Sequence, residues 1–137
     1  IALFVGSLTA ALSAIGIGAL LGASETTLLS LAPKSVTTPI AMGIAEKVGG
    51  VPSLTAVLVI LTGVLGAVIA SPLLRVLRIT DPGARGFAIG LASHGIGTAR
   101  AFQMGEETGA FSGLGMGLNG VLTTLLVPIL VTLLRLR

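Results

Sequence analysis

The sequence contains no cysteine, no tryptophan, no tyrosine, a single histidine and only 9% charged residues. Each shortage excludes something. Without cysteine there is no disulfide framework and no thiolate metal site. One histidine without a partner assembles no metal cluster, so neither metal nor cofactor is expected. Without Trp and Tyr the usual aromatic belt at the membrane interface is missing, and packing must set how the helices sit. The scarcity of charge excludes most. A soluble domain carries roughly a quarter of its residues as Asp, Glu, Lys and Arg, whereas these 137 residues are 53% hydrophobic and 9% charged. The solvent of this chain is therefore mostly lipid. A net charge of +3 invites a nucleic-acid reading, but eight basic residues scattered over an apolar chain make no phosphate-tracking stripe. No nucleic-acid partner is expected.

What is present is long apolar runs. Ile1–Ser24, Val48–Leu74 and Thr108–Leu134 hold no charged residue. Each is long enough, at ~1.5 Å per residue, to cross a hydrocarbon core of roughly 30 Å as a helix. The first run is already under way at Ile1, with neither an initiator Met nor a basic leader, as expected of a fragment. The predicted fold is an all-α polytopic membrane protein, a single transmembrane domain over residues 1–137.

Between the clear spans lie two stretches that are apolar at both ends and polar in the middle. The first, 25–47, centres on Pro33-Lys34-Ser35-Val36-Thr37-Thr38-Pro39. Pro39 lacks an N–H, and both prolines bias the preceding residue away from helix, so Pro33 and Pro39 are expected to unwind the backbone. The second, 85–106, centres on Ser93-His94-Gly95-Ile96-Gly97-Thr98, where Gly95 and Gly97 are the expected breakers. A constant offset of 60 pairs Leu31 with Leu91, Ala32 with Ala92, Thr38 with Thr98, Ala41 with Ala101, Glu46 with Glu106 and Gly49 with Gly109, and sets Lys34 opposite His94. This points to a duplication, with repeats over 1–60 and 61–120, of the kind common in transporters. Irregular backbone at membrane depth survives only when buried in protein or lining a wet cavity, so two broken elements imply a cavity.

Orientation follows from Lys and Arg near the span ends. Arg75, Arg78 and Arg85 cluster after the second span, around a turn at Asp81-Pro82-Gly83, and Arg135 and Arg137 follow the third. If both ends are cytoplasmic, both polar stretches cross completely as discontinuous helices, giving about five membrane segments; this is the favoured expectation. The alternative makes each a re-entrant hairpin, places Arg135 and Arg137 outside and inverts the repeats.

Ionisable side chains within a span are costly and are by default functional hypotheses. Lys34 stands beside the hydroxyls of Ser35, Thr37 and Thr38, and His94 beside Ser93 and Thr98. Unwound backbone, hydroxyls and the positive end of a half-helix suit a small carboxylate. Lys34 would add a point charge, and His94 a group able to couple transport to protons. Arg100 is a further binding candidate, with pairing to Glu106 or Glu107 the competing role. Glu25, Glu46 and Lys47 mark span ends. Gly115-x-Gly117-x-x-Gly120 matches a dinucleotide fingerprint only formally, because it lies inside an uncharged span. Together with Gly113/Gly117, Gly18/Gly22 and Gly86/Gly90 it reads as small-xxx-small helix packing, and Asn119 in the same span is expected to bond within the bundle. Adjacent Ser93 and His94 have no acid to orient the ring, so no enzyme is expected.

Pro33 to Ala41, Gly49-Gly50-Val51-Pro52, Ala84-Arg85-Gly86, Ala92 to Ala99 and Gly109-Ala110-Phe111-Ser112 resemble the CidB/LrgB family of membrane proteins. Members carry further apolar spans ahead of the matching segment, so the resemblance is to their C-terminal part. It implies a bacterial cytoplasmic membrane or, for the plastid member, an envelope membrane. It implies either of two functions. One is holin- or antiholin-like control of murein hydrolase export and autolysis, in a homo- or hetero-oligomer with an LrgA/CidA-type partner. The other is transport of glycolate, glycerate or pyruvate. The family supplies no catalytic residues to carry over, and the Lys34 and His94 assignments rest on the residues themselves.

Overall fold

The computed structural model describes residues 1–136, so Arg137 lies outside the described residues. Among these residues all regular structure is helical. The three charge-free runs form α1 (Ala2–Leu20), α4 (Pro52–Val76) and α6 (Glu106–Leu133), each long and apolar enough to cross a membrane. At 1.5 Å per residue they extend about 28, 37 and 42 Å. α4 exposes Val57, Leu61, Val64, Leu65 and Val68, an apolar outer surface suited to lipid or to further apolar helices. The interior holds a hydrophobic core around Leu29, Val36, Val59 and Val127 together with a polar set: Ser7, Ser30, Thr55, Ser93, His94, Thr98, Ser112, Asn119 and Thr123 are all buried.

The first polar stretch forms two short helices, α2 (Glu25–Leu31) and α3 (Thr38–Val48). Ser24 caps α2, accepting from the Thr27 N–H at 3.3 Å. A continuous crossing would carry residue 51 some 30 Å from residue 30. Instead the Val51 N–H donates to Ser30 Oγ at 2.8 Å, and Thr55 Oγ1 donates to the Ser30 carbonyl at 3.1 Å. A Cβ on Gly50 would lie 3.0 Å from the Leu29 carbonyl carbon. The pair α2/α3 is thus a hairpin, open at the end where α1 stops and α4 starts. The Ser30 hydroxyl supplies the cap that Val51, at the N-cap of α4, lacks.

The second polar stretch lies in α5 (Pro82–Met104), capped by Asp81, which accepts from the Ala84 N–H at 2.7 Å. Its backbone leaves helical geometry at His94, with φ 42 and ψ −134. The chain reverses there. A Cβ on Gly97 would lie 3.0 Å from Ile89 Cγ2, although eight residues of straight helix would separate these positions by about 12 Å. The arm 82–93 runs antiparallel to α4, with Ser93 against Gly66 and His94 against Gly63, while the arm 95–104 returns until Ser71 Oγ donates to Met104 Sδ. Asp81 and Glu107 consequently line the same cavity, with Ala2 beside them.

These contacts correct the expectation of two complete crossings: both stretches enter and leave at one end of the bundle, from opposite ends to each other. The reason is the size of the dihedral change. A helix kink deflects an axis, whereas one residue at φ 42, ψ −134, like the first central residue of a type II′ turn, reverses it. The reversing residue is also His94 itself, neither Gly95 nor Gly97.

The small-residue expectation divides. Cβ atoms on Gly86, Gly90 and Gly115 would collide with the Thr108, Ser112 and Phe87 carbonyls, so backbones touch along the first arm of α5 and α6. Gly18 makes room for Leu28 and Leu31, and Gly120 for Ile40. Gly113 and Gly117 have open space instead, and Gly22, at φ 76, ends the turn after α1. α4 and α6 end alike, with Arg78 and Arg135 at φ 55 in the left-handed region. The following N–H groups, of Ile79 and Leu136, reach back to the Leu74 and Val131 carbonyls, as in a Schellman motif.

Candidate functional site

The hairpin tips meet in the middle of the bundle. In the first tip, 32–37, the Lys34 N–H donates to the Leu31 carbonyl at 3.1 Å and the Val36 N–H to the Pro33 carbonyl at 3.3 Å. Pro33, Ser35 and Val36 are buried, and Lys34, Thr37 and Thr38 are half-buried. Thr37 occupies the N-cap of α3 in extended geometry with no side-chain cap, and Pro39 sits in the first turn, where its missing N–H costs nothing. The positive end of α3 therefore starts at the tip uncapped. Among the described residues the Lys34 ammonium makes one hydrogen bond, to Ser35 Oγ at 3.3 Å, and it pairs with no carboxylate.

In the second tip Ser93, His94 and Thr98 are buried. His94 Nε2 lies 2.9 Å from the Val59 carbonyl of α4. A carbonyl only accepts, so Nε2 carries the proton and Nδ1 is the acceptor of the neutral ring. A Cβ on Gly63 would come within 2.7 Å of the imidazole, and one on Gly66 would collide with Ser93; both glycines of α4 open the space for this tip. Thr98 Oγ1 donates to the His94 carbonyl at 2.8 Å and lies 2.9 Å from Ser112 Oγ. Its hydroxyl holds the bend. Ser35, next to Lys34, and Leu91, three residues before His94, are held by one side chain of α6, so the two stretches paired by the 60-residue offset share one locality.

Asn119 of α6 stands between the tips. Its Nδ2 donates to the Ser35 carbonyl at 3.1 Å and to the Leu91 carbonyl at 3.0 Å, while Oδ1 accepts from Ser7 Oγ at 2.7 Å and Thr123 Oγ1 at 3.0 Å. Both amide protons are donated, to one carbonyl of the first tip and one just ahead of the second, while Oδ1 shares the single Ser7 hydroxyl proton with the Leu3 carbonyl.

Of the sequence candidates, Pro33, Lys34, Ser35 and Thr37 lie in the first tip, Thr38 and Pro39 open α3 beside it, and Ser93, His94 and Thr98 form the second, with Gly95 and Gly97 following the reversal at His94. Arg100 stands apart: it is exposed and its Nη1 donates to Gln103 Oε1 at 2.9 Å, so it is paired with neither Glu106 nor Glu107. Those acids occupy the first turn of α6, where the helix dipole favours them. Sequence reasoning missed Ser7, Ser112, Gly63 and Gly66, which carried no signal beyond being small residues in apolar runs. A cavity of about 580 Å³ enters from the end bearing Asp81 and Glu107 and reaches Gly6 and Leu91. The carbonyl of that leucine is the one Asn119 holds.

A model of the LrgB-like family matches residues 1–133. An uncharacterized protein, YwbG of Bacillus subtilis, is 45% identical over 103 residues, covering 75% of this chain and 46% of the relative. The holin-like protein CidB of Staphylococcus epidermidis is 38% identical over 112 residues, covering 82% and 49%. Another uncharacterized Bacillus subtilis protein, YxaC, is 41% identical over the same length. The chain spans about half the length of the curated relatives it matches. No solved structure matches it.

Proposed function

This chain belongs to the LrgB-like family, and from that premise we propose that its two hairpin tips form the binding site of a membrane transporter for a small monocarboxylate of the glycolate, glycerate or pyruvate type. The observation that carries the reading is Lys34, a half-buried ammonium at a bundle-interior tip whose one partner is a hydroxyl. A cation so placed lacks an anion, because burying an unpaired charge is costly. The uncapped start of α3 and the N–H groups after His94 add positive ends directed to the same place. Ser35, Thr37, Thr38 and Ser93 supply hydroxyls, and His94 supplies a proton site for coupled transport. Substrate leaves chemically unchanged; no enzymatic step is involved.

In this proposal α1, α4 and α6 cross the membrane, and the two hairpins are re-entrant from opposite faces, an inverted repeat with its site near the midplane. Arg75, Arg78 and Arg85 place their end in the cytoplasm of a bacterial cell. Lys47 and Arg135 lie at the other end.

In full-length protein reconstituted in liposomes, Lys34→Met is expected to abolish saturable uptake of labelled glycolate and pyruvate while the protein still folds, and Lys34→Arg to retain part of it. Undiminished uptake by Lys34→Met refutes the site.

A second reading, a holin- or antiholin-like regulator of murein hydrolase export acting with an LrgA/CidA-type partner, is favoured by the name of the Staphylococcus relatives, which backs it more directly than it backs transport. That role has no need of Lys34 and expects hetero-oligomers, with lysis phenotypes tracking the open Gly113 and Gly117 face of α6. Saturable counterflow through the purified full-length protein separates the two, since a lytic hole shows none.

A further inference from the structure

We infer that Asn119 is a positioning residue that latches both hairpin tips in place through the two protons of one amide group. The inference deepens, and rests on, the two-hairpin transport reading. Its basis is one side chain with two roles. The amide nitrogen, carrying two protons, holds the Ser35 carbonyl of the first tip and the Leu91 carbonyl in the last turn before the second. The amide oxygen is anchored by Ser7 of α1 and Thr123 one turn further along α6. Asn119 is 1% exposed, so water does not compete for these bonds. Opening either tip breaks a bond to the same NH₂ group and leaves a buried carbonyl and an N–H unsatisfied, which the bundle interior penalises.

The test reads tip exposure without requiring transport. In full-length protein in liposomes, with native cysteines replaced where present, single cysteines are placed at Thr37 in the first tip, at Gly95 in the second, and at Gly43 on α3 as a control. Cβ atoms at Gly95 and Gly43 meet no close neighbour. Labelling by a membrane-impermeant maleimide, admitted to both faces, is then compared across variants. Asn119→Leu keeps the approximate shape but loses both donations. It is expected to raise the labelling rate at Thr37 and Gly95 together by roughly fivefold, the effect of about one hydrogen bond on an equilibrium, and to leave Gly43 unchanged. Ser7→Ala, which removes a bond to the oxygen and spares both donations, is expected to raise neither tip. Should Asn119→Leu fail to fold, Asn119→Ser, whose one hydroxyl serves a single carbonyl at a time, decides in the same way. A rise at one tip only, at neither, or equally at all three positions overturns the shared latch. A merely structural asparagine gives the last of these patterns. Absence of carboxylate uptake by the wild type would instead refute the transport reading and leave the latch to be judged on labelling alone.

Discussion

At the scale of the residue, His94 is held where its chemistry alone would not put it. Left-handed φ with ψ near −134 is glycine territory, because a Cβ there crowds the neighbouring carbonyls. Gly95 stands next in the chain, and evolution had only to shift the reversal by one residue to avoid the crowding. The imidazole is instead fixed by the Val59 carbonyl in space vacated at Gly63, and such strain marks positions where the side chain is needed. His94→Gly and His94→Ala both lose that bond, but only Gly relieves the backbone. His94→Gly is therefore expected to be more stable than His94→Ala by ~1 kcal/mol, read as a higher midpoint in thermal unfolding of detergent-solubilised protein, with transport lost in both. Equal midpoints would show that the conformation is unstrained and that His94 is not held there for its side chain. Lys34 and His94 were legible in the sequence because ionisable groups stand out against an apolar background. The role of Asn119 was not: an amide in a span bonds to something, and its partners are backbone carbonyls that exist as acceptors only once both tips have formed.

At the scale of the element, residue spacing and residue role separate. Gly86/Gly90 and Gly113/Gly117 have the same four-residue spacing and read identically in sequence. In the fold the first pair lies against the Thr108 and Ser112 carbonyls, and the second faces open space, since spacing defines a helix face without saying what that face meets. Gly90→Ala is expected to destabilise the full-length protein by roughly 1–3 kcal/mol, because backbone must move to admit the methyl. Gly113→Ala and Gly117→Ala should be neutral or gain up to about 1 kcal/mol from the lower entropy cost of alanine in a helix. Thermal unfolding of the three variants side by side checks this. If Gly117→Ala is nonetheless inert in stability yet abolishes assembly with a partner, the outer face of α6 is an interface, which is what the holin-like reading requires. The spans themselves were readable to within a few residues, because charge-free runs of that length leave the backbone no alternative in lipid.

At the scale of the whole molecule, the question the sequence left open was whether residues 25–47 and 85–106 cross or return. Length does not decide it, since some twenty residues suffice for one crossing or for a hairpin half as deep. Charge does not decide it either, because Arg75, Arg78 and Arg85 fix one end but are silent about the path of the chain beyond them. Contacts between distant residues decide it: Ser30 with Val51, Ile89 with Gly97, and Asp81 sharing a cavity with Glu107. Two hairpins opening at opposite ends have a consequence that two crossings lack. Thr80 and Glu107, which flank α5, must lie on one face of the membrane, with Lys47 and Arg135 on the other. Single cysteines at these four exposed positions, in full-length protein in intact cells, are expected to fall into two pairs. Thr80 and Glu107 should be protected from an impermeant thiol reagent until the membrane is opened, and Lys47 and Arg135 labelled at once. Labelling of Glu107 with Lys47 in intact cells would mean that α5 crosses. The tips would then no longer be related by inversion, and a shared midplane site, which needs hairpins reaching inward from both sides, would be lost with it.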